Sequence, residues 1–255
     1  MRILRFVLIL IVVLAVAAGL FAWTCPADFA YRHLAKKFGP VTLDGVDGTV
    51  WHGHAATVAV FGQPLGALDW ELDPKPLLLR AETALTLHVA GGVVVADGKL
   101  LRTPDAKIRV SGTTIELPAQ ALAPAVDIPS LQLSGKVRIK IDQARLVGAW
   151  FDDVRGSARW EGAGVTGAAQ ADFGAIESTF LSAPNGAIGG VLHDSGGPLA
   201  ADGMFSIVAG SYEAQARLSP RDGNAQVAEA LRYVGQAQPD GSTLLLIRGR
   251  LFKLF

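Results

Sequence analysis

From Phe6 to Ala27 the chain runs for 22 residues without a formal charge, opening on Phe6-Val7-Leu8-Ile9-Leu10-Ile11-Val12-Val13-Leu14. As a helix rising about 1.5 Å per residue, such a run covers roughly 33 Å, enough for the hydrocarbon core of a bilayer. Residues 6–27 are therefore expected to form a transmembrane helix behind a short cytoplasmic N-terminus, residues 1–5. Arg2 and Arg5 favour that orientation by the positive-inside rule, while Arg32, Lys36 and Lys37 on the far side count against it. Ala15-Val16-Ala17 resembles a signal-peptide cleavage site, but the apolar run continues to Trp23, longer than a signal sequence needs. Retention of the helix is the expectation, with Trp23 at the outer interface.

After Pro26, residues 28–40 read as a short amphipathic helix, Asp28 to Phe38, ended by Gly39-Pro40 and serving as a stalk. From residue 41 the pattern changes to alternation punctuated by Gly, Pro and Asp at about ten-residue intervals, which argues for a meander of antiparallel strands. Expected strands include Val41–Leu43, Thr49–Trp51, Ala56–Phe61, Ala67–Leu72, Ala84–Val89, Gly92–Ala96, Lys107–Val110, Leu131–Leu133, Val165–Phe173, Met204–Val208, Tyr212–Leu218 and Ser242–Leu251. The cleanest is Lys136-Val137-Arg138-Ile139-Lys140-Ile141, with one charged and one β-branched face. A single short helix is expected near the C-terminus, Asn224 to Val234, with Asn224 as N-cap and Gly235 as stop. The fold class is mainly β: a transmembrane helix, then a curved antiparallel sheet domain over 41–255. The Trp70-Glu71 and Trp160-Glu161 pairs suggest two loosely duplicated halves, 41–118 and 130–255, joined by the Pro- and Ala-rich stretch between Pro118 and Pro129.

Composition narrows the function. Lys plus Arg and Asp plus Glu are equal at 23, so there is no basic footprint and no nucleic-acid partner is expected. The one cysteine, Cys25, permits neither an internal disulfide nor a cysteine metal cage. His52 and His54 share a strand face as two ligands would, but His33, His88 and His193 offer no further ligand by spacing, so solvent-facing histidines are the better reading. Asp152-Asp153 reads as a turn rather than a catalytic pair, since strand neighbours point to opposite faces. Ser195-Gly196-Gly197 beside His193 and Asp194 reads as a hairpin loop, and Gly162-Ala163-Gly164 lacks the context of a phosphate cradle. No catalytic residue, metal ligand or cofactor site is assigned, and the chain is expected not to be an enzyme.

Two blocks, Gly45-Val46-Asp47-Gly48-Thr49-Val50-Trp51-His52-Gly53-His54-Ala55 and Leu65-Gly66-Ala67-Leu68-Asp69-Trp70-Glu71-Leu72-Asp73-Pro74, resemble the type II secretion system protein N family. Leu131-Gln132-Leu133-Ser134-Gly135, Leu231 to Gly235 and Arg248-Gly249-Arg250 fit the same pattern. The resemblance marks Gly48, Trp51, Gly53, Leu68, Trp70, Pro74, Gly135, Gly235 and Gly249 as structural motif residues. It implies a single-pass protein of the Gram-negative inner membrane with its main domain in the periplasm, an accessory part of the machine that exports folded proteins. Its implied partners are the outer-membrane secretin, the inner-membrane platform with its connector protein, and inner-membrane lipid. Read physically, the glycines permit a tight turn before Trp51, which would enter a strand and bury its ring, as would Trp70. Pro74 and Pro76 fit a strand end. Contact with partners would run through an edge strand or the exposed sheet face. The alternative function is a membrane-anchored lipid-handling protein whose curved sheet forms a groove.

Overall fold

The computed structural model describes residues 24–37, 39–105, 107–126, 130–147, 150–183, 186–208 and 210–250. Residues 6–23 of the expected transmembrane helix lie outside these, and among the described residues no helix is long and apolar enough to cross a membrane. The last residues of the expected span belong to the folded domain: Pro26 bridges Thr49, and Ala27 opens a separate helix, α1 (Ala27–Leu34).

All strands join one antiparallel 14-stranded sheet. In chain order they are β1 (Val41–Gly48), β2 (His52–Val60), β3 (Gln63–Asp73), β4 (Thr83–Ala90), β5 (Val95–Arg102), β6 (Ile108–Pro118), β7 (Leu131–Val147), β8 (Trp150–Gly167), β9 (Ala171–Ser182), β10 (Ile188–Asp194), β11 (Leu199–Val208), β12 (Ser211–Pro220), β13 (Gln236–Ala237) and β14 (Thr243–Arg250). Spatial order follows chain order as far as β12, which pairs with β14, and β13 lies outermost. In such a meander the connections alternate between two rims. We call proximal the rim holding the β1–β2, β3–β4, β5–β6, β7–β8, β9–β10 and β11–β12 turns, and distal the opposite one.

Three further helices interrupt the meander: α2 (Pro74–Arg80), α3 (Ala123–Val126) and α4 (Ala225–Leu231). The α4 helix was legible, with the Asn224 Oδ1 accepting from the Val227 N–H at 3.0 Å. It stops at Leu231 rather than Val234. Gly235 is not its cap; a Cβ there would collide with the Leu244 carbonyl. Of the Pro118–Pro129 stretch expected to join the halves, residues 118–126 are described. Ala119 to Leu122 form a 3₁₀ turn that runs into α3, and Ala119 is completely buried in the main core.

That core sits near the distal rim. Leu131, Leu133, Val165, Phe173, Leu199 and Leu218 from the sheet pack with Val227, Ala230 and Leu231 of α4. Burying each Val or Leu side chain is worth about 1.5–3 kcal/mol. The α3 turn also touches β14. Along a flat sheet, six ladder steps at about 4.8 Å would set β7 and β14 roughly 29 Å apart. The sheet therefore curls towards the face that carries α3 and α4, which becomes the concave inner face. A smaller core of Ala55, Val58 and Leu68 holds β1 to β4 together.

The register gives the inner face its character. From Gly53 on β2 through Trp70, Leu87 and Gly98, and on through Ile141, Phe180 and Phe205 to Ile247 on β14, directly paired residues are glycine, alanine, aliphatic or aromatic, Thr113 excepted. Four aromatic rings lie across glycines of the neighbouring strand: Trp70 over Gly53, Phe180 over Gly156, Phe205 over Gly190 and Tyr212 over Gly249. A Cβ at any of these glycines would strike the ring, so each glycine leaves room for an aromatic neighbour to lean across its strand.

Thr49-Val50-Trp51 is the β1–β2 turn rather than a strand, and 92–94 likewise lie in a turn. Residues 168–170 divide Val165–Phe173 between β8 and β9. Asp153 sits within β8 in a left-handed conformation, φ +54°, beside a shift of register, so it is a strand irregularity and not a turn. The duplication fails as a structural repeat. Trp70 lies on β3 and Trp160 on β8, and strands separated by an odd number of steps in an antiparallel meander run in opposite directions. Their indoles nonetheless bond alike, Trp70 to the Val50 carbonyl at 3.2 Å and Trp160 to the Ser134 carbonyl at 2.8 Å.

Candidate interaction surfaces

The outer face carries rows of ionisable side chains paired across strands, and over β9 to β14 also exposed apolar ones, Leu181, Val191, Met204, Val208 and Leu246. Asp47, His54, Asp69, His88 and Asp97 occupy directly opposed positions on β1 to β5 and so form one ladder of alternating carboxylates and imidazoles. The His54 Nδ1 lies 2.8 Å from the Asp69 carboxylate and the His88 Nδ1 2.6 Å from that of Asp97. One row over, the His52 Nε2 is 3.5 Å from Glu71. Asp47, His52, His54, Asp69, Glu71 and His88 line an open groove of about 530 Å³ together with Gly48, Gly53, Trp70 and Thr86. His52 and His54 are solvent-facing, as expected. His88 joins them only through register, since nothing in its spacing from His54 places it two strands away on the same row. Among the described residues no three His, Cys, Asp or Glu side chains are grouped to hold a metal ion.

A second ladder crosses the middle of the sheet: Glu116, Arg138, Arg159, Glu177, His193, Asp202 and Arg217 follow one another in register from β6 to β12. Arg138 bridges Glu116, at 2.6 Å, and Glu161, at 2.9 Å, while Arg159 pairs with Glu177. The hydrogen bond from Arg138 holds the Glu116 carboxyl below its ordinary pKa, and the same bond raises that of Arg138. Paired in this way, the groups of this ladder from Glu116 to Glu177 are committed to one another.

The two sheet edges differ. At β1 the outward Leu43 N–H donates to the Tyr31 hydroxyl at 2.9 Å, and α1 lies along the strand, so the segment expected as a stalk covers an edge. The Val50 N–H donates to the Cys25 carbonyl at 3.1 Å, which brings residues 25–26 to the proximal rim. At the other edge β13 covers only Thr243 and Leu244 of β14. Among the described residues, Leu245 to Arg250 have no strand partner on the side away from β12.

The motif residues fall on these features. Gly48, φ +84°, ends β1 where a Cβ would crowd the His52 carbonyl, and Gly53 receives the Trp70 ring. Trp51 stays half-buried in the turn, its carbonyl accepting from the Leu72 N–H at 2.7 Å. Leu68 is in the smaller core. Pro74 does end a strand, but as the first residue of α2, whose N-cap Asp73 accepts from the Lys75 N–H at 2.9 Å. Gly135, φ +96°, opposes Gly162 where a Cβ would meet backbone, and Gly249 underlies Tyr212.

A family model described as type II secretion system (T2SS), protein N, matches residues 39–245. The chain belongs to that family. The type II secretion system protein N of Aeromonas hydrophila is 29% identical to it over 161 residues, covering 62% of this chain and 63% of that protein. That of Vibrio cholerae serotype O1 (strain ATCC 39315 / El Tor Inaba N16961) is 27% identical over 152 residues, covering 54% and 55%. The matches thus span less than two thirds of these relatives' length. No solved structure matches. All the protein N motif residues except Gly249 lie inside the matched range.

Proposed function

We propose that this protein is an accessory inner-membrane component of the type II secretion system, anchored by residues 6–23 with its sheet in the periplasm, and that it works without catalysis by docking on other components. Family membership carries the assignment to the secretion system. The docking mode rests on the unequal edges: β1 is covered by α1, whereas Leu245 to Arg250 of β14, without a strand partner on their outer side among the described residues, offer backbone donors and acceptors to an incoming strand. The two ladders of the outer face support a binding role, because their ionisable groups are engaged in cross-strand pairs rather than converging on a reacting atom.

In secreting cells, a photo-crosslinking residue placed at Arg250 on β14 should capture the outer-membrane secretin or the inner-membrane platform. One at Thr42 on the covered β1 edge should capture neither. Adducts with neither component from Arg250, or equal adducts from both positions, would overturn the edge-docking reading.

A further inference from the structure

We propose that the proximal half of the concave inner face is an acyl-chain trough, entered from the proximal rim by the tails of an anionic phospholipid of the adjoining bilayer. It rests on the anchor in the preceding proposal only for its supply of lipid. The floor is the first observation. Beyond the core at the distal rim, Ile141, Phe180, Ile188, Phe205, Ile207 and Ile247 are half-buried on the inner face, and among the described residues no element packs over them. Their backbone groups are used by the sheet ladder. A peptide laid there would leave its own N–H and C=O groups unpaired, at a cost of order 1–3 kcal/mol each, whereas a hydrocarbon tail carries none. Phe180 and Phe205 lean over Gly156 and Gly190, their centroids 6.5 Å apart and their planes 57° to one another, and so form part of the floor and wall of the trough.

The depth fits a tail. On β11, Ala201 is buried beneath the core, and Gly203 to Val208 continue to the rim. Those residues cover about 17–20 Å at the rise of a strand. One leaflet of hydrocarbon is about 15 Å, half the thickness of the bilayer core. The trough is closed at its distal end by α4 and the 119–126 turn.

The rim supplies the third observation. Leu78 and Leu79 of α2 are each 81% exposed there. Residues 25–26, to which the uncharged N-terminal run connects, are pinned to the same rim. Arg250 also lies there and leads into Leu251-Phe252-Lys253-Leu254-Phe255. Arg80, Arg102, Arg109 and Arg155 are exposed around the same turns and form no ion pair among the described residues. Exposed leucines beside uncommitted guanidinium groups suit the acyl boundary and phosphates of an anionic leaflet.

The test uses the full chain reconstituted into phosphatidylethanolamine–phosphatidylglycerol vesicles carrying phosphatidylglycerol with a diazirine near the end of one acyl chain. After irradiation, peptide mapping should place adducts on β7, β9, β11 and β14 at inner-face residues as well as on residues 1–23. Phe205→Glu should cut the inner-face adducts about tenfold by setting a charge in the trough, while Met204→Glu, on the outer face of the same strand, should leave them within about twofold. Adducts confined to residues 1–23 would overturn the trough and leave the anchor standing. A chain that does not enter the vesicles would instead overturn the anchor. In that case the same lipid in detergent micelles decides, inner-face adducts sustaining the trough and their absence ending it. Mapping on the unsubstituted protein keeps the result independent of whether Phe205→Glu folds. A helical protein segment in the trough, seen as a protein adduct without lipid when the diazirine is carried at Phe205, would also overturn it.

Discussion

The carboxylate of Asp194, at the β10–β11 turn, accepts from the Ala201 and Gly196 N–H groups at 2.9 Å each and from Arg221 at 2.7 Å, with its side chain only 13% exposed. Burial alone would raise its pKa, but these donors together hold it at about 2. The unfolded value is near 3.9, so the folded state binds this proton less readily. The stabilisation is therefore complete above about pH 4 and is lost as pH falls through about 2. Asp194→Ala should cost about 2 kcal/mol in urea unfolding at pH 7, and the difference from the parent should narrow between pH 4 and pH 2. A gap that stays constant over that range would show the aspartate to act through packing alone. In sequence, Asp194 stands out only as a neighbour of Ser195 in a hairpin loop, and its partner Arg221 lies across a whole strand pair. His88 was invisible for the same reason: register, not spacing, sets it opposite Asp69 and Asp97.

Among the elements, those with strong local signals were legible, as with α4 and the alternating Lys136–Ile141 run of β7. Asn224→Ala removes the side-chain acceptor for the Val227 N–H and should lower stability by about 1 kcal/mol, with little change in the denaturant slope. A steeper or shallower slope would mean that α4 detaches from the core before global unfolding. The elements that escaped lack local signal. Strand β10 holds Gly189 and Gly190 in seven residues, a poor strand by propensity, and the Phe205 ring lying over Gly190 supplies the packing that its own side chains lack. Pro74-Lys75-Pro76 reads as a break, yet Asp73 as N-cap and a proline at the first helical position turn it into the start of α2. The two Trp-Glu pairs imitate duplication, and only a count of the intervening strands shows that the two tryptophans sit on strands of opposite direction.

For the whole molecule, the meander sorts its turns into two rims that differ in chemistry, and this predicts an orientation. The exposed leucines of α2, residues 25–26 and the unpaired arginines gather at the proximal rim, whereas the distal rim is sealed from within by α4 and the 119–126 turn. A domain tethered through residues 25–26 should stand with its strands directed away from the membrane and α2 at the headgroups. Strand β3 joins the two rims from Gln63 to Asp73, and its 11 residues span about 36 Å at the rise of a strand. With Cys25→Ser removing the native thiol, a fluorophore on Leu79→Cys in vesicles should be strongly quenched by headgroup-labelled lipid, while one on Gln63→Cys should stay unquenched. Equal quenching at both positions would mean that the sheet lies flat on the bilayer, presenting the ladder face or the trough sideways. Stronger quenching at Gln63 would put the sealed rim at the membrane and close the route by which a lipid tail could enter.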